Sequence, residues 1–159
     1  MKSRFILTLC IVSITILAQA QSKVSRNDMV GSWHVALVKM YDGAVYCDLE
    51  NDSVNISDEM KQKWKNAQDS AIAMAMSVGM LKAFQGMHML FGADGSYEEK
   101  DKKNSRKGNY VFDDSSSVVT INYAGTTTSL KARLIRDKNF VMIEPLNAKG
   151  DMQMYLSKD

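Results

Sequence analysis

Alternation of apolar and polar positions recurs along most of the chain and predicts short β-strands. The first predicted strand, Gly31 to Met40, is followed by Tyr41-Asp42-Gly43, and Asp-Gly tolerates the positive φ that a tight hairpin turn needs. Similar turn residues divide the rest of the β-rich sequence. We predict nine strands, at Gly31–Met40, Ala44–Leu49, Met87–Phe91, Tyr97–Lys100, Gly108–Phe112, Val118–Tyr123, Thr128–Ile135, Phe140–Glu144 and Met152–Leu156.

One segment departs from this alternation and predicts a single long helix from Ser57 to Phe84. Asn51-Asp52-Ser53 ends the β pattern before it, and Ser57 is a suitable N-cap. Apolar positions then recur in steps of three and four, as expected for one helical face. They are Met60, Trp64, Ala67, Ala71, Met74, Val78 and Leu81.

Small residues repeat every four positions along the same predicted helix. Such a strip lets another backbone approach closely. The neighbour is either the sheet of the same chain or, as the alternative, the same helix in a homodimer. The strip consists of Ala67, Ala71, Ala75, Gly79 and Ala83.

Nine short strands with hairpin-length links predict an antiparallel meander. We expect an up-and-down β-barrel of eight or nine strands, because closure removes exposed strand edges. Its long helix is inserted between the second and third strands. Period-two alternation places these bulky side chains on inner faces: Trp33, Val35 and Leu37; Met87, Met89 and Phe91; Tyr110 and Phe112; Leu130, Ala132 and Leu134; Met152, Met154 and Leu156.

The first twenty residues predict a cleavable export signal. Lys2 and Arg4 precede an apolar core, Phe5 to Leu17, and Ala18-Gln19-Ala20 is an A-x-A cleavage site. The core of about thirteen residues is shorter than the ~20 that a membrane-spanning helix needs. We therefore predict a single domain, residues 21–159, that is periplasmic or secreted after cleavage near Ala20 and has no membrane anchor.

Charge and chemistry exclude several classes of function for that domain. Lys2 and Arg4 account for the whole net charge of +2, so the remainder is neutral and nucleic acid is not an expected partner. His34 and His88 lie in no metal-binding motif, and no G-x-S-x-G motif is present. Cys47 has no second cysteine to pair with in residues 21–159. We expect no catalysis, no metal and no cofactor.

Three short motifs resemble a known family. Gly31-x-Trp33 at the start of the first strand resembles the lipocalin signature. The segment from Leu90 to Tyr97, followed by Gly108-x-Tyr110, resembles the exported lipocalin-like domains of bacteria. The resemblance implies an up-and-down barrel with an apolar cavity for small hydrophobic molecules.

Two interpretations of the inner faces remain open. In the first, they line a cavity for a small hydrophobic ligand, where tyrosine hydroxyls orient it. In the second, the barrel is filled and the protein is a structural or interaction module, for instance a homodimer through helix 57–84. The candidate ligand-binding residues are Trp33, Tyr46, Met89, Phe91, Tyr97, Tyr110 and Met154.

Methionine is abundant, and all but one of the 12 methionines lie in residues 21–159. Flexible thioether side chains fill irregular cores or line adaptable pockets, which is the interpretation we favour. The alternative is a Cu(I) site, since thioethers are soft ligands. Its ligands would be Met87, Met89, Met152 and Met154.

Overall fold

The computed structural model describes residues 23–64, 66–146 and 152–159, and the predicted export signal lies outside these ranges. Ten strands and three helices lie within the described ranges. The strands are β1 (Gly31–Met40), β2 (Val45–Asp48), β3 (Ser53–Ile56), β4 (His88–Phe91), β5 (Ser96–Lys100), β6 (Ser105–Asp113), β7 (Val118–Tyr123), β8 (Ser129–Asp137), β9 (Phe140–Pro145) and β10 (Gln153–Lys158). The helices are α1 (Arg26–Met29), α2 (Asp58–Lys63) and α3 (Ala67–Phe84), and none of them is long and apolar enough to cross a membrane.

The sheet closes into an antiparallel barrel. Strands β4 to β10 follow one another as a meander, and β1 pairs with both β4 and β10. The eight strands β1 and β4–β10 therefore form a continuous wall, which satisfies the edge groups of β4 and β10. The predicted mainly β, antiparallel closed barrel is confirmed.

Strands β2 and β3 extend this wall beyond the barrel. The first half of β1, from Gly31 to His34, pairs with β4, whereas Leu37 to Met40 pairs with β2. The prediction that Asn51-Asp52-Ser53 ends the β pattern was wrong. The Asp48 side chain accepts hydrogen bonds from the backbone N–H groups of the next turn, and the chain reverses into β3.

A β-bulge at Ala36 changes which side chains of β1 are buried. The register against β10 shifts between Val35 and Leu37. Beyond the shift Val38 and Met40 are buried, while Leu37 is only half-buried. The prediction that Leu37 shares the face of Val35 was wrong, because one extra residue reverses the two-residue alternation.

The predicted single helix is two helices. Ser57 caps α2 as predicted, since its Oγ accepts a hydrogen bond from the N–H of Met60. The backbone is extended at Trp64, and the Asn66 side chain accepts a bond from the N–H of Asp69 to start α3. Asn is a good N-cap and a poor helix-interior residue, so it favours a new start over continuation.

A short N-terminal segment covers one end of the barrel. Val24 and Met29, at either end of this segment, are fully buried, and the indole N–H of Trp33 donates to the carbonyl of Met29 over 2.8 Å. Ser25 and Asp28 cap each other at the start of α1. This four-residue helix was not predicted from the sequence, because a helix so short shows no helical period.

Candidate functional site

The barrel interior contains six of the seven candidate ligand-binding residues. All six are buried, with at most 5 % of each side chain exposed. The ring centroid of Phe91 lies 5.1 Å from that of Tyr97 and 5.2 Å from that of Tyr110. The six are Trp33, Met89, Phe91, Tyr97, Tyr110 and Met154.

Polar atoms of these residues already have protein partners. Tyr110 donates to the carbonyl of Gly92 over 2.9 Å, and Trp33 donates to Met29. Tyr97 donates to the carboxylate of Glu99 over 3.1 Å. In the described part of the chain, no buried side-chain nitrogen or oxygen lacks a partner. The interior therefore presents packed apolar side chains and satisfied polar ones, and the hydroxyls that we expected to orient a ligand hold the wall together.

Tyr46, the seventh candidate, does not join the other six. It lies on β2 opposite Lys39 and Asn55, and its side chain is 37 % exposed. Its neighbour Cys47 occupies the buried face instead. Alternation therefore places Tyr46 on the outer side of the β2–β3 extension.

A charged group that was not among the candidate residues predicted from the sequence lies inside the barrel wall. Glu99 is 8 % exposed and accepts hydrogen bonds from Tyr97 and from Tyr123, at 3.2 Å. Arg106, directly opposite on β6, forms an ion pair with it, and the exposed guanidinium also lies over the Tyr123 ring. The inward position of Glu99 could have been predicted from the sequence, since Glu99 lies two residues from inward-facing Tyr97 on the same strand.

Burial and the charge of Glu99 shift the pKa values in this cluster. Burial is the larger cause that raises the pKa of Tyr97 far above its usual range, and the charge of Glu99 is the second. The same two causes raise the pKa of Tyr123. The hydrogen bond to Glu99 raises the pKa of Arg106. Tyr97 therefore keeps its proton, and Tyr97, Tyr123 and Arg106 all donate to Glu99 in one hydrogen-bonded network.

An apolar pocket lies outside the barrel interior, between α2, α3 and the β1–β2 hairpin. Its volume is about 180 Å³, and most of its lining is apolar. The hydroxyl of Ser77, one of its few polar groups, is bonded to the carbonyl of Ala73. We call it the helix pocket. It is lined by Met40, Tyr41, Val45, Met60, Trp64, Ala73, Met76, Ser77 and Met80.

The helix pocket exists because α3 covers the β2–β3 extension incompletely. Leu81 is buried, and the Cys47 thiol contacts the carbonyl of Ser77 at 3.6 Å. The cover is looser at Met76 in the middle of α3, which lines the pocket and is 58 % exposed. The break between α2 and α3 lets the half-buried Trp64 turn into the gap.

The four methionines considered for Cu(I) do not form one site. Met89 pairs with Trp33 on one edge of β1, and Met154 pairs with Val38 on the other edge. These positions are about 15 Å apart along β1. A methionine sulfur lies only about 4 Å from its own Cα, so the sulfurs of Met89 and Met154 do not reach a common ion.

Comparison with known proteins supports the fold. No protein-family model and no curated protein matches this sequence. A crystal structure of a DUF4847 family protein from Bacteroides vulgatus ATCC 8482 superposes with a TM-score of 0.50 and 15% sequence identity, covering 82% of this chain and 94% of that one. The chain therefore shares the overall fold of that protein.

Proposed function

We propose that this protein binds a small apolar molecule in the helix pocket and catalyses no reaction. The observation that carries the proposal is an apolar concave surface beside a barrel whose described interior side chains are packed. Four methionines line the helix pocket, and unbranched thioether side chains adapt to ligands of different shape. They are Met40, Met60, Met76 and Met80.

The size of the helix pocket limits its ligand. An apolar cavity of about 150 Å³ accommodates benzene, so about 180 Å³ suits a single ring or the end of an acyl chain. Burying about 200 Å² of apolar ligand surface contributes about 5 kcal/mol, which corresponds to a Kd somewhat below millimolar before the costs of association. A tighter ligand would also contact the exposed part of Met76 at the pocket rim.

Export is part of the same proposal. A lipocalin-like barrel delivered by a cleaved signal would meet hydrophobic molecules outside the cytoplasm. Mass spectrometry of the protein recovered from its source should give an N-terminus at Gln21. An N-terminus at Met1 would contradict export by this signal.

A matched pair of variants tests the binding site. Native mass spectrometry of the purified wild type should show a retained small molecule. Ala73 lines the helix pocket, so Ala73→Phe should fill it and abolish that retention. Ala75 is exposed on the same helix outside the pocket, so Ala75→Phe should retain it. Trp64, one of two tryptophans, should report occupancy by a change in fluorescence. Equal retention by both variants would exclude the helix pocket.

A second function, an interaction module that uses α3, is favoured by one specific observation. The side of α3 away from the sheet exposes an apolar side chain, Ile72, at 52 %. The predicted strip of small residues is exposed at Ala71, Ala75, Gly79 and Ala83. Sedimentation of the wild type and of Ile72→Glu separates the functions: a dimer that this substitution dissociates supports the module, and a monomer at all concentrations contradicts self-association.

A further inference from the structure

Two histidines that are 54 residues apart in sequence face each other on the outside of the barrel. His34 on β1 pairs directly with His88 on β4, and their ring centroids are 6.2 Å apart. Their inward neighbours Trp33 and Met89 are buried, whereas the side chains of His34 and His88 are 32% and 52% exposed. Solvent therefore reaches both imidazoles from the same side of the wall.

One carboxylate contacts both imidazoles. Oδ1 of Asp159 lies 2.7 Å from Nδ1 of His34, and its Oδ2 lies 3.3 Å from Nδ1 of His88. The backbone N–H of Asp159 donates to the carbonyl of Ser32 over 3.1 Å, and the Ser32 hydroxyl donates to Oδ2. The carboxylate is thus held against the β1–β4 pair at its backbone and at its side chain.

A second carboxylate lies behind the first histidine. Oε1 of Glu50 is 3.5 Å from Nε2 of His34, on the side of the ring opposite Asp159. Outer carboxylates of this kind orient a ligating imidazole and raise its basicity. Together the two carboxylates carry a charge of about −2, which matches a divalent cation.

We propose that His34, His88 and Asp159 bind a divalent transition-metal ion such as Zn²⁺ or Cu²⁺, with Glu50 orienting His34. Imidazole nitrogen and carboxylate oxygen are the donor types that these ions take. Two bonds of about 2.0–2.1 Å at a tetrahedral angle separate their donor atoms by about 3.3 Å. The contacts of Asp159 with the two imidazoles already have separations of this size.

Binding would replace contacts that exist without the ion. In residues 23–64, 66–146 and 152–159, no three His, Cys, Asp or Glu side chains already surround a common point as a metal centre would. Binding would therefore require Nδ1 of His34 and of His88 to be free of a proton, with the proton of each ring on Nε2. Both rings would rotate about χ2, a torsion with broad preferences, and water would complete the coordination.

The test uses purified protein that carries no histidine tag. Because the chain has two histidines, its imidazole NMR spectrum reports this site alone. Titration with ZnCl₂ should shift both imidazoles together, and calorimetry should give one ion per chain. His34→Ala, His88→Ala and Asp159→Asn should each weaken zinc binding at least about tenfold. Asp58→Asn, at an exposed residue of α2, should leave it unchanged.

Metal preference provides a second readout. MgCl₂, whose ion prefers an all-oxygen shell, should shift neither imidazole. Circular dichroism should show that the three site variants remain folded, since the substituted side chains lie at the surface. Zinc affinity that is unchanged in both histidine variants, or the absence of zinc binding at micromolar concentrations, would overturn the proposal. Unchanged affinity in Asp159→Asn would exclude the carboxylate as a ligand.

Discussion

Truncation of Phe91 tests whether the barrel is filled. Phe91 is fully buried on β4, and its ring packs against the rings of Tyr97 and Tyr110 at centroid distances of 5.1 and 5.2 Å. In a packed core, Phe→Ala removes the transfer free energy of the ring and leaves a cavity, a loss of about 3–5 kcal/mol. Two aromatic contacts, each worth about 0.5–1.5 kcal/mol, place Phe91→Ala in the upper part of that range.

The expected effect is large relative to total stability. Domains are stable by about 5–15 kcal/mol, so a loss of about 4–5 kcal/mol removes a quarter or more of that stability. For a domain of this size each kcal/mol lowers Tm by about 3–5 °C, so Phe91→Ala should melt about 12–25 °C below the wild type. Urea titration should show a lower midpoint with an unchanged slope.

A control at an exposed position of the same sheet separates the effect of burial from that of side-chain truncation itself. Val111 is 65 % exposed on β6, next to Tyr110 in sequence. Val111→Ala should change the free energy of unfolding by no more than about 0.5 kcal/mol. If Phe91→Ala costs less than about 2 kcal/mol, the ring does not contact packed neighbours on all sides, and the reasoning that places the ligand outside the barrel fails.

Three further predictions follow from local geometry. Gly79→Ala should stabilise the protein by about 0.5–1 kcal/mol, since a Cβ at that helix position meets no atom within 4 Å. Gly108→Ala should destabilise the protein by about 2 kcal/mol or more, because its Cβ would overlap the carbonyl of Asn122. Cys47 should resist thiol reagents in the native state, since burial raises its pKa. Hydrogen bonds from its serine and histidine neighbours lower the pKa of Asp159 to about 2, so the stability that it contributes is complete above about pH 4 and lost as the pH falls toward 2.

Each of these predictions has a direct measurement. Thermal melts of the two glycine variants should move in opposite directions, and a loss of stability in Gly79→Ala would contradict the open space beside that helix position. Stoichiometric labelling of Cys47 within minutes without denaturant would contradict its burial. Melts between pH 5 and pH 2 should fall less steeply for Asp159→Asn than for the wild type, and parallel curves would refute the linkage.

Strand positions were predictable because they depend on local alternation, and barrel closure was predictable because it removes the exposed edges of a long meander. Turn residues such as Asp42-Gly43 and Asp94-Gly95 mark where the chain reverses, whatever it packs against. Two wrong predictions arose where a single residue changes the strand alternation or the helical register. Ala36 reverses the alternation within β1, and Asn66 ends one helical register and starts another. Neither residue type is rare enough in strands or helices to reveal this from sequence.

The candidate site was harder to predict than the fold. Strand alternation correctly placed Trp33, Phe91 and Tyr110 on the inner face of the barrel, but alternation does not distinguish a lined cavity from a packed interior. That difference depends on whether side chains from opposite walls meet. Tyr46 was also predicted to belong with these ligand-binding candidates, although its side chain lies on the outer side of β2.

The sequence by itself determined nine of the ten described strands and their order along the chain, because each depends on alternation and turn residues a few positions apart. It also determined that neither histidine belongs to a local metal-binding motif. Only the tertiary structure decided that the described interior is packed, that a pocket opens beneath α3, and that His34, His88 and Asp159 meet. Those features depend on distances between residues far apart in sequence, which strand pairing and barrel closure set together.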